Sequence, residues 1–242
     1  MFKGFSIGLL ALLLAACGAH RTRQADPQSL GVPPATPILP GPGRVYRVDA
    51  NRSELRILVY RAGPLARLGH NHVIVNRSIR GAVNLADAAG GSVFWLKVPV
   101  TGFVVDDAQA RRDEGADFAG EIPDDAKAGT LRNMLSTAVL DADEFTEITV
   151  NGVAAAVARD LGIVATPGSA ALVATVAITV AGHESTMDVP LTLSSDSDHF
   201  TATGSLDLRQ TNLGLTPYSL MLGALQVQDA MTLKFEIVAG PT

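Results

Sequence analysis

"LQVQDAMTLKFEIV", residues 225 to 238, carries Val227, Met231, Leu233, Phe235 and Ile237 among Gln226, Gln228, Thr232, Lys234 and Glu236. Successive side chains of a strand point to opposite faces, so this run has one apolar and one polar face. That is the signature of a half-buried strand in an antiparallel sheet. The same period recurs upstream. Phe200, Ala202, Gly204, Leu206 and Leu208 oppose His199, Thr201, Thr203, Ser205 and Asp207. Leu172, Ala174, Val176, Ile178 and Val180 form another apolar face, and Met187, Val189, Leu191 and Leu193 follow a short turn around Gly182. Near the start, Leu55, Ile57 and Val59 alternate with Glu54, Arg56 and Leu58. Strands of this kind joined by short turns predict a mainly β domain, closed as a barrel or packed as a sandwich.

Three stretches break the rhythm. Leu131, Met134, Leu135, Ala138 and Val139 fall at helical spacing, which predicts one amphipathic helix over 128–140. Asp106 to Asp125 is rich in acids and glycine and reads as a long exposed loop. "PYSLMLGAL", residues 217 to 225, reads as a short helix or an apolar loop.

The N-terminus has its own logic. Lys3 precedes a short apolar core from Phe5 to Ala16, too short for a comfortable membrane span, and small residues close it. Leu14-Ala15-Ala16-Cys17 resembles a bacterial lipobox, so residues 1–16 are expected to be a lipoprotein signal peptide and Cys17 the acylated mature N-terminus. This places the protein in the bacterial cell envelope, lipid-anchored and facing the periplasm. Gly18 rather than Asp after the cysteine favours the outer membrane in a Gram-negative host. Cys17 is the sole cysteine, so the chain forms no internal disulfide. Six of the thirteen prolines lie between residues 18 and 43, and residues 17–43 read as a semi-rigid tether to a domain at 44–240.

Four motifs in order resemble the YceI-like family, the lipocalin-like polyisoprenoid-binding proteins of bacteria. "YRVDANRSELRILV" (46–59) is similar to that family's opening. "LDADEFTEITV" (140–150) is similar to its Asp-hydrophobic-x-x-Tyr-Pro-x-Ile stretch, with Phe145 and Thr146 in place of Tyr-Pro. "ITVAGHESTMDVPLTL" (178–193) resembles its strand–glycine–strand hairpin. "LRQTNLGLTP" (208–217) resembles its Thr/Asp-aromatic-Gly-Ile segment, with Leu213 in the aromatic position. The likeness spans about residues 45–239, and "GPLARLGHNH" replaces the family's usual glycine-and-aromatic pattern. The resemblance implies a lipocalin-like, eight-stranded antiparallel barrel whose apolar lumen holds a long isoprenoid or quinone-like lipid. A barrel of about eight strands is just wide enough for one slender ligand. The lumen is expected to be lined by Leu55, Ile57, Val59, Ala202, Gly204, Leu206, Met231, Leu233 and Phe235, with Ala174, Ala202 and Gly204 leaving space. Some members of that family are associated with b-type membrane cytochromes, which makes a membrane cytochrome an implied partner.

"LARLGHNHVI" (65–74) brings His70 and His72 two residues apart, hence onto one face of a strand with Ile74. Three readings stand open: polar side chains at a barrel rim, a contact with a lipid head group, or two ligands of a metal. A stable metal site needs further ligands, for which His183 and His199 are candidates. Catalysis has little to rest on. No serine sits in a nucleophile elbow, no phosphate-cradling glycine loop is present, and Asp106-Asp107 and Asp124-Asp125 read as solvated pairs. A net charge of −5, without a basic run, excludes a general affinity for nucleic acid. The leading expectation is a lipid-anchored binding barrel that is not an enzyme and needs no metal or cofactor. The alternatives are a metal-binding or redox accessory protein using His70 and His72, and a structural or interaction barrel without a ligand.

Overall fold

The structure, a computed structural model, describes residues 43–85, 92–156, 169–196 and 198–241. The predicted signal peptide, Cys17 and nearly all of the tether lie outside them. Within the described residues the period-two runs form twelve strand segments. These are β1 (Arg44–Val48), β2 (Glu54–Ala62), β3 (His72–Asn76), β4 (Arg80–Leu85), β5 (Ser92–Pro99) and β6 (Phe103–Val105). After the helices follow β7 (Glu147–Ala156), β8 (Ser169–Val180), β9 (His183–Ser195), β10 (Phe200–Arg209), β11 (Ser219–Leu220) and β12 (Leu225–Pro241).

All pairings are antiparallel. β12 pairs with β10 along one edge. Along its other edge it pairs with β2 as far as Glu236 and then with β1 from Ala239 onward. β1 continues to β4 and β5, β2 continues to β3 and β6, and β5, β7, β8, β9 and β10 complete the circuit. Thus β1–β2, β3–β4 and β5–β6 are three bent strands, and the sheet is a closed eight-stranded antiparallel barrel. Closure removes the unpaired edges that an open sheet of this size would expose.

The bends are made by polar side chains. Between β1 and β2, Asp49 accepts from the Asn51 amide at 3.0 Å, and the Ser53 hydroxyl donates to the Asp49 carbonyl at 2.7 Å. The same hydroxyl accepts from the Val238 amide at 3.0 Å. Between β3 and β4, Asn76 is fully buried and donates to the Pro99 carbonyl at 2.8 Å, at the end of β5. The β8–β9 hairpin turns on Ala181 and Gly182, both at positive φ, as a tight two-residue turn requires. The Phe145 ring packs where Gly182 would carry a Cβ.

Two helices, α1 (Ala108–Asp113) and α2 (Asp124–Leu135), correct the sequence reading. The expected helix over 128–140 starts four residues earlier and stops at Leu135. Asp124 and Asp125 occupy its first turn, where acids suit the helix dipole. Ser136 ends it in an extended conformation, with its hydroxyl donating to the Asn133 carbonyl at 2.7 Å. Leu131, Met134, Leu135 and Val139 pack on the main core, whereas Ala138 is exposed. The acidic segment is not an exposed loop. Asp107 caps α1 by accepting from the Ala110 amide, and Asp106, Ala110, Arg111, Phe118 and Ile122 are buried.

That burial explains Leu58, which the period placed on the polar face. Leu58, Val73 and Val75 point outward from β2 and β3 and form a small second core with Ala110 and Phe118. The wall at β2–β3 is therefore covered on both sides, with Val59 and Ile74 in the main core inside. α1 is pinned there at both ends. Arg111 pairs with Asp106 at 2.5 Å, and Glu114 pairs with Arg56 at 2.9 Å and Lys234 at 2.5 Å.

Replacing Ser53 by Ala leaves the buried Val238 amide without its acceptor, so folding should lose about 1–3 kcal/mol. Thermal or urea unfolding of the single variant measures this directly, and an unchanged midpoint would mean that the bend does not need the hydroxyl.

Candidate functional site

Among the described residues, two cavities have lining residues that do not overlap. The first, of about 180 Å³, is framed by β2, β4, β5, β7, β8, β9, β10 and β12. Every lining residue except Ser92 is apolar, and none is charged. Leu172, Ala174, Val176 and Ile178 of β8 face Val189, Leu191 and Leu193 of β9 there, as the alternation in each strand dictates. A cavity of this chemistry offers a guest dispersion and water exclusion but no ionic contact.

Two cross-strand pairs shape it. Phe94 lies opposite Gly152, and Phe235 lies opposite Gly204. A Cβ on either glycine would come within 2.4 Å of the ring facing it. Each ring thus lies over its partner strand instead of standing in the lumen. Gly204 serves the cavity in a different way from that expected, because its own space is occupied by Phe235. Ala174 and Ala202 do line the cavity.

The second cavity, of about 380 Å³, lies beneath α2 and is mixed in character. Val59, Ile74, Met134, Val139 and Val227 give it apolar walls, while His70, His72, Asn133, Gln210 and Tyr218 supply polar atoms. β3 begins only at His72, so His70 stands outside the strand and is exposed. Both imidazoles nevertheless line the same cavity, with ring centres 6.2 Å apart. His72 Nδ1 lies 2.6 Å from Asp106 Oδ2. The other oxygen of that carboxyl accepts from the Val73 amide at 3.0 Å and from Arg111. Burial alone would raise the Asp106 carboxyl, but the hydrogen bonds and charges of His72, Val73 and Arg111 hold it below its ordinary range. The carboxylate is then ionised at neutral pH, so the Nδ1 proton of His72 sits in the bond to Asp106. Nε2 is left to accept in the neutral ring or to donate in the charged one.

The proposed lumen residues divide into groups. Leu55, Ala202, Leu233 and Phe235 line the first cavity, and Val59 lines the second. Ile57 and Met231 pack in the main core, and Leu206 packs against the cluster around Leu172 and Val189. His183 and His199 do not approach His70 and His72. His183 packs against Gly214, and His199 sits beside Asp196 and Gly240. Among the described residues no three His, Cys, Asp or Glu side chains cluster as metal ligands would. Sequence reasoning missed Asp106, Arg111, Tyr218 and the Phe–Gly pairs. The signal for Phe94 is present in "SVFWLKVP" (92–99), where Phe94, Leu96 and Val98 recur at period two.

No family model and no curated protein sequence matches the chain. Solved structures do. The crystal structure of BcnA from Burkholderia cenocepacia superposes with a TM-score of 0.53 at 15% identity, over 79% of this chain and 98% of that one. A polyisoprenoid-binding domain from Saccharophagus degradans, implicated in plant cell wall breakdown, superposes with a TM-score of 0.52 at 11% identity. That match covers 81% of this chain and 98% of the other. The barrel expected from the resemblance is thus the fold this chain has.

Gly204→Ala should force Phe235 off its seat and cost roughly 1–3 kcal/mol by overpacking, read as a lower urea midpoint. Asp106 has a folded carboxyl below its ordinary value of 3.8, so its ionisation stabilises the fold above that value. This contribution is lost as pH falls through the depressed folded value. The melting temperature should therefore drop on acidification below about pH 4, and Asp106→Asn should flatten that acid limb.

Proposed function

We propose that this chain is a YceI-like binding protein that holds a slender apolar lipid, an isoprenoid or quinone-like tail, inside its barrel. The observation that carries this reading is the first cavity, closed in by strands and apolar at every lining residue but Ser92. Burial of apolar guest surface stabilises such a complex by roughly 25 cal/mol per Å². The Saccharophagus degradans domain is described as polyisoprenoid-binding, which supports the same guest class.

The second cavity suits the polar end of such a lipid. His72, oriented by Asp106, and Tyr218, Asn133 and Gln210 can exchange hydrogen bonds with a hydroxyl, carbonyl or phosphate. The reading is carriage or sequestration of the lipid. The lipobox-like Leu14-Ala15-Ala16-Cys17 supports an anchor on the envelope membrane through an acylated Cys17. Several acyl chains anchor far more firmly than one, at ~0.8 kcal/mol per buried CH₂.

Native mass spectrometry with lipid extraction tests the main claim. The full chain purified from its host should carry a stoichiometric apolar lipid, and Ala202→Trp should lose it while retaining most of its stability. Unchanged retention, or a chain that never carries lipid, defeats the reading. Metabolic labelling with a fatty acid should mark the wild type and not Cys17→Ser.

A further inference from the structure

Seven large hydrophobic side chains are exposed among the described residues, and four of them sit together. Leu68, Leu220, Met221 and Leu222 are 62%, 44%, 72% and 109% exposed. Leu68 ends the turn Ala66–Leu68, Leu220 ends β11, and Met221 and Leu222 lie between β11 and β12. The two loops are joined, since the Leu65 amide donates to the Ala224 carbonyl at 2.8 Å. Leu68 and Leu220 both line the second cavity, so the tip belongs to its rim.

The backbone holds these side chains outward. Met221 and Leu222 have φ of 51° and 55°, the left-handed region that residues with a Cβ avoid. A fold that tolerates this strain in two adjacent apolar residues gains nothing from them in its own core. The charge pattern is equally one-sided. No charged residue occurs from Gln210 to Gln228, and the facing segment 61–70 carries only Arg61 and Arg67. Tyr218, an amphipathic ring suited to a membrane interface, stands at the same rim.

We infer that the Leu68 and Leu220–Leu222 tip inserts into the surface of a phospholipid bilayer and sets the mouth of the second cavity against it. An uncharged apolar tip enters the acyl boundary, and two arginines beside it suit anionic head groups. The purpose of this contact rests on the lipid-carrier reading, because the membrane is the reservoir of the guest; its geometry does not. A protein partner would be expected to bring acidic side chains to Arg61 and Arg67, and would need no bilayer.

Fluorescence on the acylated full chain decides it. An indole introduced by Leu222→Trp, in vesicles of phosphatidylglycerol and phosphatidylethanolamine brominated on their acyl chains, should shift to the blue and be quenched. The native Trp95 signal is subtracted using the unsubstituted chain. The same indole at Val153, an exposed position on β7, should show neither change. Met221→Asp combined with Leu222→Asp should lower vesicle partitioning of Cys17→Ser chains by roughly tenfold or more. Indistinguishable emission at positions 222 and 153, or partitioning that ignores the aspartates, overturns the inference. Lipid extraction from the same preparations separates the two readings. Insertion without a carried lipid removes the carrier and leaves the tip, whereas a carried lipid without insertion removes the tip alone.

Discussion

Both backbone groups of Val238 face the gap where β1 stops and β2 begins. Its carbonyl accepts from the Asp49 amide at 2.8 Å, and its amide donates to the Ser53 hydroxyl at 3.0 Å. A buried backbone group left without a partner is costly, so β12 can run unbroken past a bent neighbour only if something fills this gap. Asp49 and Ser53 fill it. The barrel depends on that arrangement, because β12 is the strand through which the sheet closes. Asn76 has the matching role at the next bend, tying the corner between β3 and β4 to the end of β5. The polar residues of the opening motif are thus hinges of the wall and do not belong to a site.

Closed walls do not by themselves leave a lumen. Protein interiors pack to crystal-like density, and a barrel of eight strands can be filled by its own side chains. Here large and small residues are distributed so that some of the interior stays open. The Phe–Gly pairs move two aromatic rings off the axis, and Ala174 and Ala202 keep two strands thin. Between the two cavities Ile57, Met231 and their neighbours pack normally. The open volume is therefore divided, with an apolar chamber at one level and a mixed chamber at the other. A single guest could reach both chambers only if the layer of Ile57 and Met231 yielded.

The strands, their inward faces and the hairpin at Gly182 are legible because period two survives wherever one face meets the core and the other meets water. Leu58 breaks the rule because α1 covers the outer face of β2, and no local pattern in β2 announces that cover. Asp106 reads as solvated because it is followed by another acid. Its burial depends on His72 and Arg111, which lie 34 and 5 residues away in sequence. The pairing of His70 with His72 in one cavity is legible as to face, though not as to the carboxylate behind it. The helix offset has a plainer cause. Leu131 to Val139 keeps helical spacing, but Ser136 turns the chain out, so Val139 reaches the core from a turn.

The double cover of β2 and β3 also bears on where the barrel can give. α1 is held to this wall by Asp106 at one end and by Glu114 at the other; both carboxyls lie below their ordinary range despite burial, Asp106 through its bonds from His72, Val73 and Arg111 and Glu114 through Lys234 and Arg56. Truncating one partner of such a buried pair leaves the other charge uncompensated, so this wall resists opening. The opposite seam is weaker by construction. β9 and β10 share only four register pairs, from Phe200–Ser195 to Thr203–Thr192, and the ladder ends two residues before Pro190, which has no amide to donate. Gly204 follows at once on β10, where Phe235 covers it. Local opening of a barrel wall draws on the regions with fewest hydrogen bonds. The same Phe235 ring that keeps the lumen clear therefore also seals its least-bonded seam.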